Sequence, residues 1–127
     1  MTPSAAPIRI LLVDDHAVLR EGLARLLGEQ VDMHVIGQAT NGLEAVQLAD
    51  QLAPDVILMD ISMPKLNGIE ATRRIHSQHP RTRIIGLSMF EEPEQARAMR
   101  DAGAANYLTK SGASADLIQA IRDSRTA

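Results

Sequence analysis

Asp14 and Asp15 follow the apolar run Ile8–Val13 (IRILLV), Asp60 follows Val56–Met59 (VILM), Ser88 follows Ile84–Leu87 (IIGL), and Lys110 follows Ala105–Thr109 (ANYLT). Each is a residue type that magnesium or phosphate chemistry can use. Adjacent carboxylates with a third from another segment form an oxygen-rich set, and Mg²⁺ prefers hard oxygen ligands while keeping several of its waters. Carboxylates held that close repel one another and raise the pKa of one of them, so a divalent cation is the natural counter-charge.

Taken singly, each residue also has an ordinary structural use. Asp15 would cap a helix beginning near His16, and Asp60 would be a turn residue before Ser62-Met63-Pro64. Ser88 would be a strand-end hydroxyl or a helix cap, and Lys110 a solvated surface lysine. Unrelated causes need not place all these groups on one edge, and the order of elements along the chain places them there.

Ile8–Val13, Val56–Met59 and Ile84–Leu87 are nearly continuous apolar runs, as in strands buried on both faces of a parallel sheet. Met33–Ala39 (MHVIGQA) and Ala105–Thr109 are weaker strands. Helical periods lie between them, in Leu19, Leu23, Leu26 and Leu27, in Leu43, Val46 and Leu48, and in Ile69, Ala71, Thr72 and Ile75. Glu91-Glu92-Pro93-Glu94 predicts a fourth helix that ends before Gly103, and Ser114–Arg125 a fifth with Leu117, Ile118 and Ile121 on one face. Five strand-then-helix units specify an α/β fold, an open parallel sheet with helices on both faces. Ligands of such sheets bind beyond the carboxyl ends of the strands, where the candidate residues stand.

The 127 residues allow one domain with one substantial core, which is aliphatic because the chain has one Phe, one Tyr and no Trp. With 13 basic and 16 acidic side chains the net charge is −3, which argues against a general nucleic-acid binder. The absence of Cys excludes disulfides, zinc-thiolate clusters and a thiol nucleophile, and suits a reducing compartment. Met1–Pro7 (MTPSAAP) has no basic segment followed by an apolar one, so it reads as a disordered leader to a domain spanning 8–127. No run approaches the roughly 20 apolar residues of a membrane span, and the expected location is the cytoplasm.

Leu12-Val13-Asp14-Asp15-His16, the stretch DVILMDISMP from Asp55 to Pro64, Asn67-Gly68, Leu87-Ser88 and Tyr107-Leu108-Thr109-Lys110 resemble, in order and spacing, the receiver domains of two-component response regulators. The resemblance runs from about Ile8 to Arg125, and MDISMPKLNGIEATRRI is most similar to receivers of the NarL/FixJ (LuxR-like) class. It implies a flavodoxin-like five-stranded sheet of order 2-1-3-4-5. It also implies a phosphorylation switch: Asp60 would accept a phosphoryl group from the phosphohistidine of a sensor histidine kinase. Asp15, Asp60 and the backbone carbonyl of Ser62 would ligate Mg²⁺ directly, and Asp14 through water.

By the same resemblance Lys110 would pair with one phosphoryl oxygen and the Ser88 hydroxyl with another, drawing the following loop toward the site. Tyr107 matches the aromatic switch position, whose ring turns inward in response; a half-buried strand aromatic would occupy the same place. Ser62 and Phe90 fall at variable positions that influence how water reaches the acyl phosphate, and Met89 is bulky enough to be expected to narrow access to Asp60. The chain would be a regulatory phosphoacceptor that catalyses its own phosphorylation and slow dephosphorylation, not an enzyme with a released product. Its responsive face would span about Glu91–Ala127, its first helix, His16–Glu29, would contribute to kinase docking, and phosphorylation could favour a homodimer. Regulators of the NarL/FixJ class usually carry a C-terminal helix-turn-helix domain, so DNA would be reached only through a domain absent from this chain.

Other readings use fewer of these residues. A phosphohydrolase of the haloacid-dehalogenase type wants a second acid two residues after its nucleophile, where this chain has Ser62. An FMN site would want glycine or hydroxyl groups where Asp14-Asp15-His16 stand. A phosphorylation-independent binding module leaves the acidic set without a use. His76 and His79 are expected to be surface histidines, Arg73-Arg74 a solvated face, and Met59, Met63 and Met99 packing residues.

Overall fold

Strand and helix alternate through the computed structural model, which describes residues 6–63 and 65–126, the last two by backbone alone. The order is β1 (Ile8–Val13), α1 (Ala17–Gly28), β2 (Met33–Ala39), α2 (Gly42–Leu52), β3 (Val56–Asp60), α3 (Gly68–Gln78), β4 (Arg83–Ser88), α4 (Pro93–Ala102), β5 (Asn106–Thr109) and α5 (Ser114–Thr126). The strands form one parallel sheet of order β2-β1-β3-β4-β5, as the resemblance implied. The expected leader lies, through residue 5, outside the described residues. Among the described residues no helix is long and apolar enough to cross a membrane.

Period-two alternation within the strands builds two cores. Ile8, Ile10 and Leu12 of β1, Val56 and Leu58 of β3, and Ile85 and Leu87 of β4 share one cluster with Leu27 of α1 and Leu117 and Ile121 of α5. Leu11 and Val13, Ile57 and Met59, and Ile84 share the other with Ala45 and Ala49 of α2, Ala71 and Ile75 of α3, and Met99 of α4. Each Val, Leu, Ile or Met among them, fully buried, contributes about 1.5–3 kcal/mol. Apolar residues are needed on both faces, which is why the strands read as unbroken runs.

The topology reverses at β1, which has β2 on one side and β3 on the other, so the carboxyl ends of β1 and β3 flank the crevice where such sheets bind ligands. β3 and β4 run one residue further than their apolar stretches. Asp60 still pairs with Leu87, and Ser88 with Thr109, so both functional candidates are held by the ladder itself.

Asn41 and Asn67 cap α2 and α3, accepting hydrogen bonds from Glu44 N and Glu70 N at 2.9 Å. α4 has Pro93 in its first turn and ends on Gly103 at φ 119°, as the sequence predicts. The capping use of Asp15 is not found: α1 begins at Ala17 and its N-cap is His16, without a side-chain cap. The carboxylate turned back into the chain is Asp14, whose Oδ1 accepts from His16 N at 2.8 Å in an Asx-type turn, leaving Asp15 partly exposed at the rim.

Candidate functional site

β1, β3 and β5 deliver Asp14, Asp60 and Lys110 to one point. Asp14 and Asp60 are 2% and 3% exposed, yet both carry side chains that would be charged in water. The Lys110 ammonium lies 2.9 Å from Asp14 Oδ2 and 3.1 Å from Asp60 Oδ1. His16 Nδ1 is 3.0 Å from Asp14 Oδ1 and 3.2 Å from Asp15 Oδ1, so this ring spans the two adjacent acids. Arg20, one turn into α1, donates to the carbonyl of Asp14 at 2.7 Å and fixes the end of β1.

Burial, then the charge of Asp14, pushes the Asp60 carboxyl up to about 6, against the hydrogen bond and charge of Lys110 that pull it down. Burial pulls the Lys110 ammonium down, but its bonds to Asp14 and Asp60 outweigh that and leave it raised. One ammonium therefore serves two buried carboxylates, with a third, Asp15, beside them. Asp60 Oδ2 is buried and finds no hydrogen-bond partner among the described residues, an arrangement that costs free energy unless something supplies positive charge. One ligand atom each from Asp14, Asp15, His16 and Asp60 lies within 4.8 Å of the others. Hard oxygens, excess negative charge and an orphaned oxygen fit a divalent cation such as Mg²⁺.

Ser88 and Tyr107 lie to one side of this centre, on β4 and β5. The carbonyl of Ser88 accepts from Lys110 N at 2.6 Å, which ties the hydroxyl residue to the lysine through the backbone. The Tyr107 ring packs over Gly86, where a Cβ would lie 3.1 Å from ring Cδ1 and 2.8 Å from Met99 Cε. Both side chains direct their hydroxyls at Gln95 of α4, Ser88 Oγ at 3.5 Å and Tyr107 OH at 3.4 Å from its Oε1. Ser62 is exposed at the rim, two residues beyond Asp60. Met89 and Phe90 stand largely in solvent, at 57% and 67% exposed.

His76 and His79 are less superficial than expected. His76 packs against Gly103 at the end of α4 with Nδ1 buried, and His79 Nε2 lies 2.5 Å from Asp50 Oδ1, joining α3 to α2. Helix C-termini bring these histidines to neighbouring helices, and they do not converge on the acidic site. Arg73 pairs with Glu70 on the exposed face of α3. Sequence reasoning quoted His16 without giving it a role, though its position beside two acids was a signal. Gln95 carried no signal, because its place depends on how α4 packs over β4 and β5.

The family model of the response regulator receiver domain matches residues 10–122. The chain belongs to that family. This receiver domain is 42% identical to the response regulator GacA of Pseudomonas viridiflava over 91% of the chain and 54% of the relative. It is 45% identical to the transcriptional regulatory protein LiaR of Bacillus subtilis, with the same coverage of both chains. The receiver domain thus spans about half the length of the curated relatives it matches. Among solved structures, the signal receiver domain of the putative response regulator NarL from Mycobacterium tuberculosis superposes with a TM-score of 0.91 at 29% identity, covering 97% of this chain and all of that one. A LuxR-family response regulator from Aurantimonas gives 0.88 at 38% identity, covering 93% of this chain and 84% of that one.

Proposed function

We propose that this receiver domain accepts a phosphoryl group on Asp60 from the phosphohistidine of a sensor histidine kinase and thereby changes its surface to control an output. The observation that carries this reading is the buried, orphaned Oδ2 of Asp60 beside an acidic set and an ammonium. The Asp60 carboxylate attacks phosphorus, the P–N bond breaks with its electron pair returning to the imidazole, and an acyl phosphate forms. Lys110 already bridges Asp14 and Asp60, and it balances charge on a phosphoryl oxygen by shifting toward it. Ser88 donates its hydroxyl to a second oxygen. Asp14, Asp15, Asp60 and the Ser62 carbonyl would hold Mg²⁺, which when bound neutralises charge among the carboxylates and phosphoryl oxygens. His16 orients Asp14 and Asp15 from the rim.

The output is a changed surface, since these contacts with Lys110 and Ser88 exist only in the phosphorylated state and bias a two-state element. Transcription is the output that the likeness to the transcriptional regulatory protein LiaR supports. Borohydride reduction of the phosphorylated chain followed by peptide mapping tests the assignment. Homoserine at position 60 is expected; homoserine at Asp14 or Asp15, or at no position, would refute it.

A further inference from the structure

A single carboxamide oxygen, Gln95 Oε1, lies 3.5 Å from the Ser88 hydroxyl and 3.4 Å from the Tyr107 hydroxyl. We infer that Gln95 is a positioning residue that passes the state of Ser88 to Tyr107; this rests on the proposal that Asp60 is phosphorylated. A carbonyl oxygen has two lone pairs and can accept from both hydroxyls at once, whereas the Ser88 hydroxyl has one hydrogen to give. The backbone of Ser88 is fixed by Lys110 N at 2.6 Å, so the change open to it is rotation of its side chain. A charged phosphoryl oxygen is a stronger acceptor than a neutral amide, and it would draw the Ser88 hydrogen away from Gln95. Gln95 Oε1 then serves Tyr107 alone.

Both bonds are long for O–H donors, which suits contacts that exchange. Tyr107 Cδ1 and Met99 Cε both stand against Gly86, and Met99 lies on the same helix as Gln95, so a shift in the carboxamide acts on a ring already packed against Gly86 on the strand beside it. Gln95 stands in the first turns of α4, between the site and the surface expected to respond. Among the described residues its side-chain hydrogen bonds run to Ser88 and Tyr107, not to Asp14, Asp15 or Asp60, and it acts through those two hydroxyls.

Tyr107 is the one tyrosine of the chain and there is no tryptophan, so intrinsic emission reports this ring alone. The test compares wild type, Gln95→Leu and Gln95→Glu, with Mg²⁺ and acetyl phosphate or a partner kinase, reading Tyr107 emission and phosphoryl occupancy by intact mass in the same samples. Gln95→Leu is expected to reach wild-type occupancy with an emission change at least twofold smaller, while Gln95→Glu, which keeps an acceptor oxygen, retains the wild-type change. A full emission change in Gln95→Leu at full occupancy would overturn the inference. Before phosphorylation, the Leu variant should already differ in emission from the other two, and identical resting emission in all three would also overturn it. Wild type that takes no phosphoryl group from either donor would instead refute the assignment of Asp60, while the resting comparison would still decide the role of Gln95.

Discussion

The first residue of α3, Gly68, is packed on the backbone of Asp60 so closely that a Cβ there would overlap the Asp60 carbonyl oxygen. Gly68 N also donates to Ile61 O at 2.8 Å, which folds the β3–α3 loop back on the end of the strand. Asp60 is therefore positioned by a glycine eight residues later as well as by its own strand. Gly68→Ala should lose about 1–3 kcal/mol of stability through overpacking and should be phosphorylated more slowly than wild type. Asn67→Ala, which removes the α3 cap but not the packing, should lose about 1 kcal/mol with a near-normal rate. Thermal melts and phosphorylation time courses on both variants check the pair; equal rates in both would show that the close approach does not position Asp60.

Asp60 ionises near 3.8 when unfolded and at about 6 in the folded chain. A raised carboxyl pKa means that folding is opposed by the charged form. This contribution is absent below about pH 4, develops through pH 6 and is complete above it. Asp60→Asn should therefore stabilise the metal-free protein at pH 7.5. At about 1.36 kcal/mol per pH unit, the span from 3.8 to about 6 bounds the gain at about 3 kcal/mol. Denaturant unfolding in chelator at pH 7.5 and pH 4.5 should show the gain shrinking at the lower pH, and destabilisation by Asn at pH 7.5 would contradict the account.

Lys110 is the ammonium found between Asp14 and Asp60, with a side chain only 4% exposed. Lys110→Ala leaves those two acids facing each other and should cost about 3 kcal/mol without metal. Added Mg²⁺ should recover more stability in this variant than in wild type, because the cation replaces part of the missing charge. Some phosphoryl uptake should persist while the Tyr107 emission response is lost. Melting temperatures with and without Mg²⁺, read beside occupancy, check both statements.

Asp15 differs from its neighbour, since its side chain is 32% exposed while that of Asp14 is 3% exposed. Its substitution by Ala should barely alter metal-free stability but raise the Mg²⁺ midpoint at least about tenfold, as loss of a charged oxygen ligand would. A Mg²⁺ titration followed by thermal shift gives the midpoint. An unchanged value would remove Asp15 from the metal set.

The sheet was legible because strands buried on both faces must be apolar throughout, and because the apolar runs of β1, β3 and β4 each give way abruptly to a polar group. That same abruptness marked Asp14, Asp15, Asp60 and Ser88, while Lys110 followed a weaker strand and became visible through the joint pattern. Asp15 as a helix cap was misleading, since local capping preference yielded to the Asx-type turn made by Asp14 with His16. Gln95 could not be found from the chain alone. Its carboxamide reaches Ser88 and Tyr107 only through the packing of α4 across the sheet, a tertiary relationship with no local spacing to announce it.

Phosphorylation at Asp60 can be read from intact mass after incubation with Mg²⁺ and acetyl phosphate, and separately with a competent histidine kinase, for wild type and Asp60→Asn. Wild type should gain one phosphoryl group, with no gain when Mg²⁺ is omitted and none in Asp60→Asn. No gain in wild type from either donor, or an equal gain in Asp60→Asn, would contradict it.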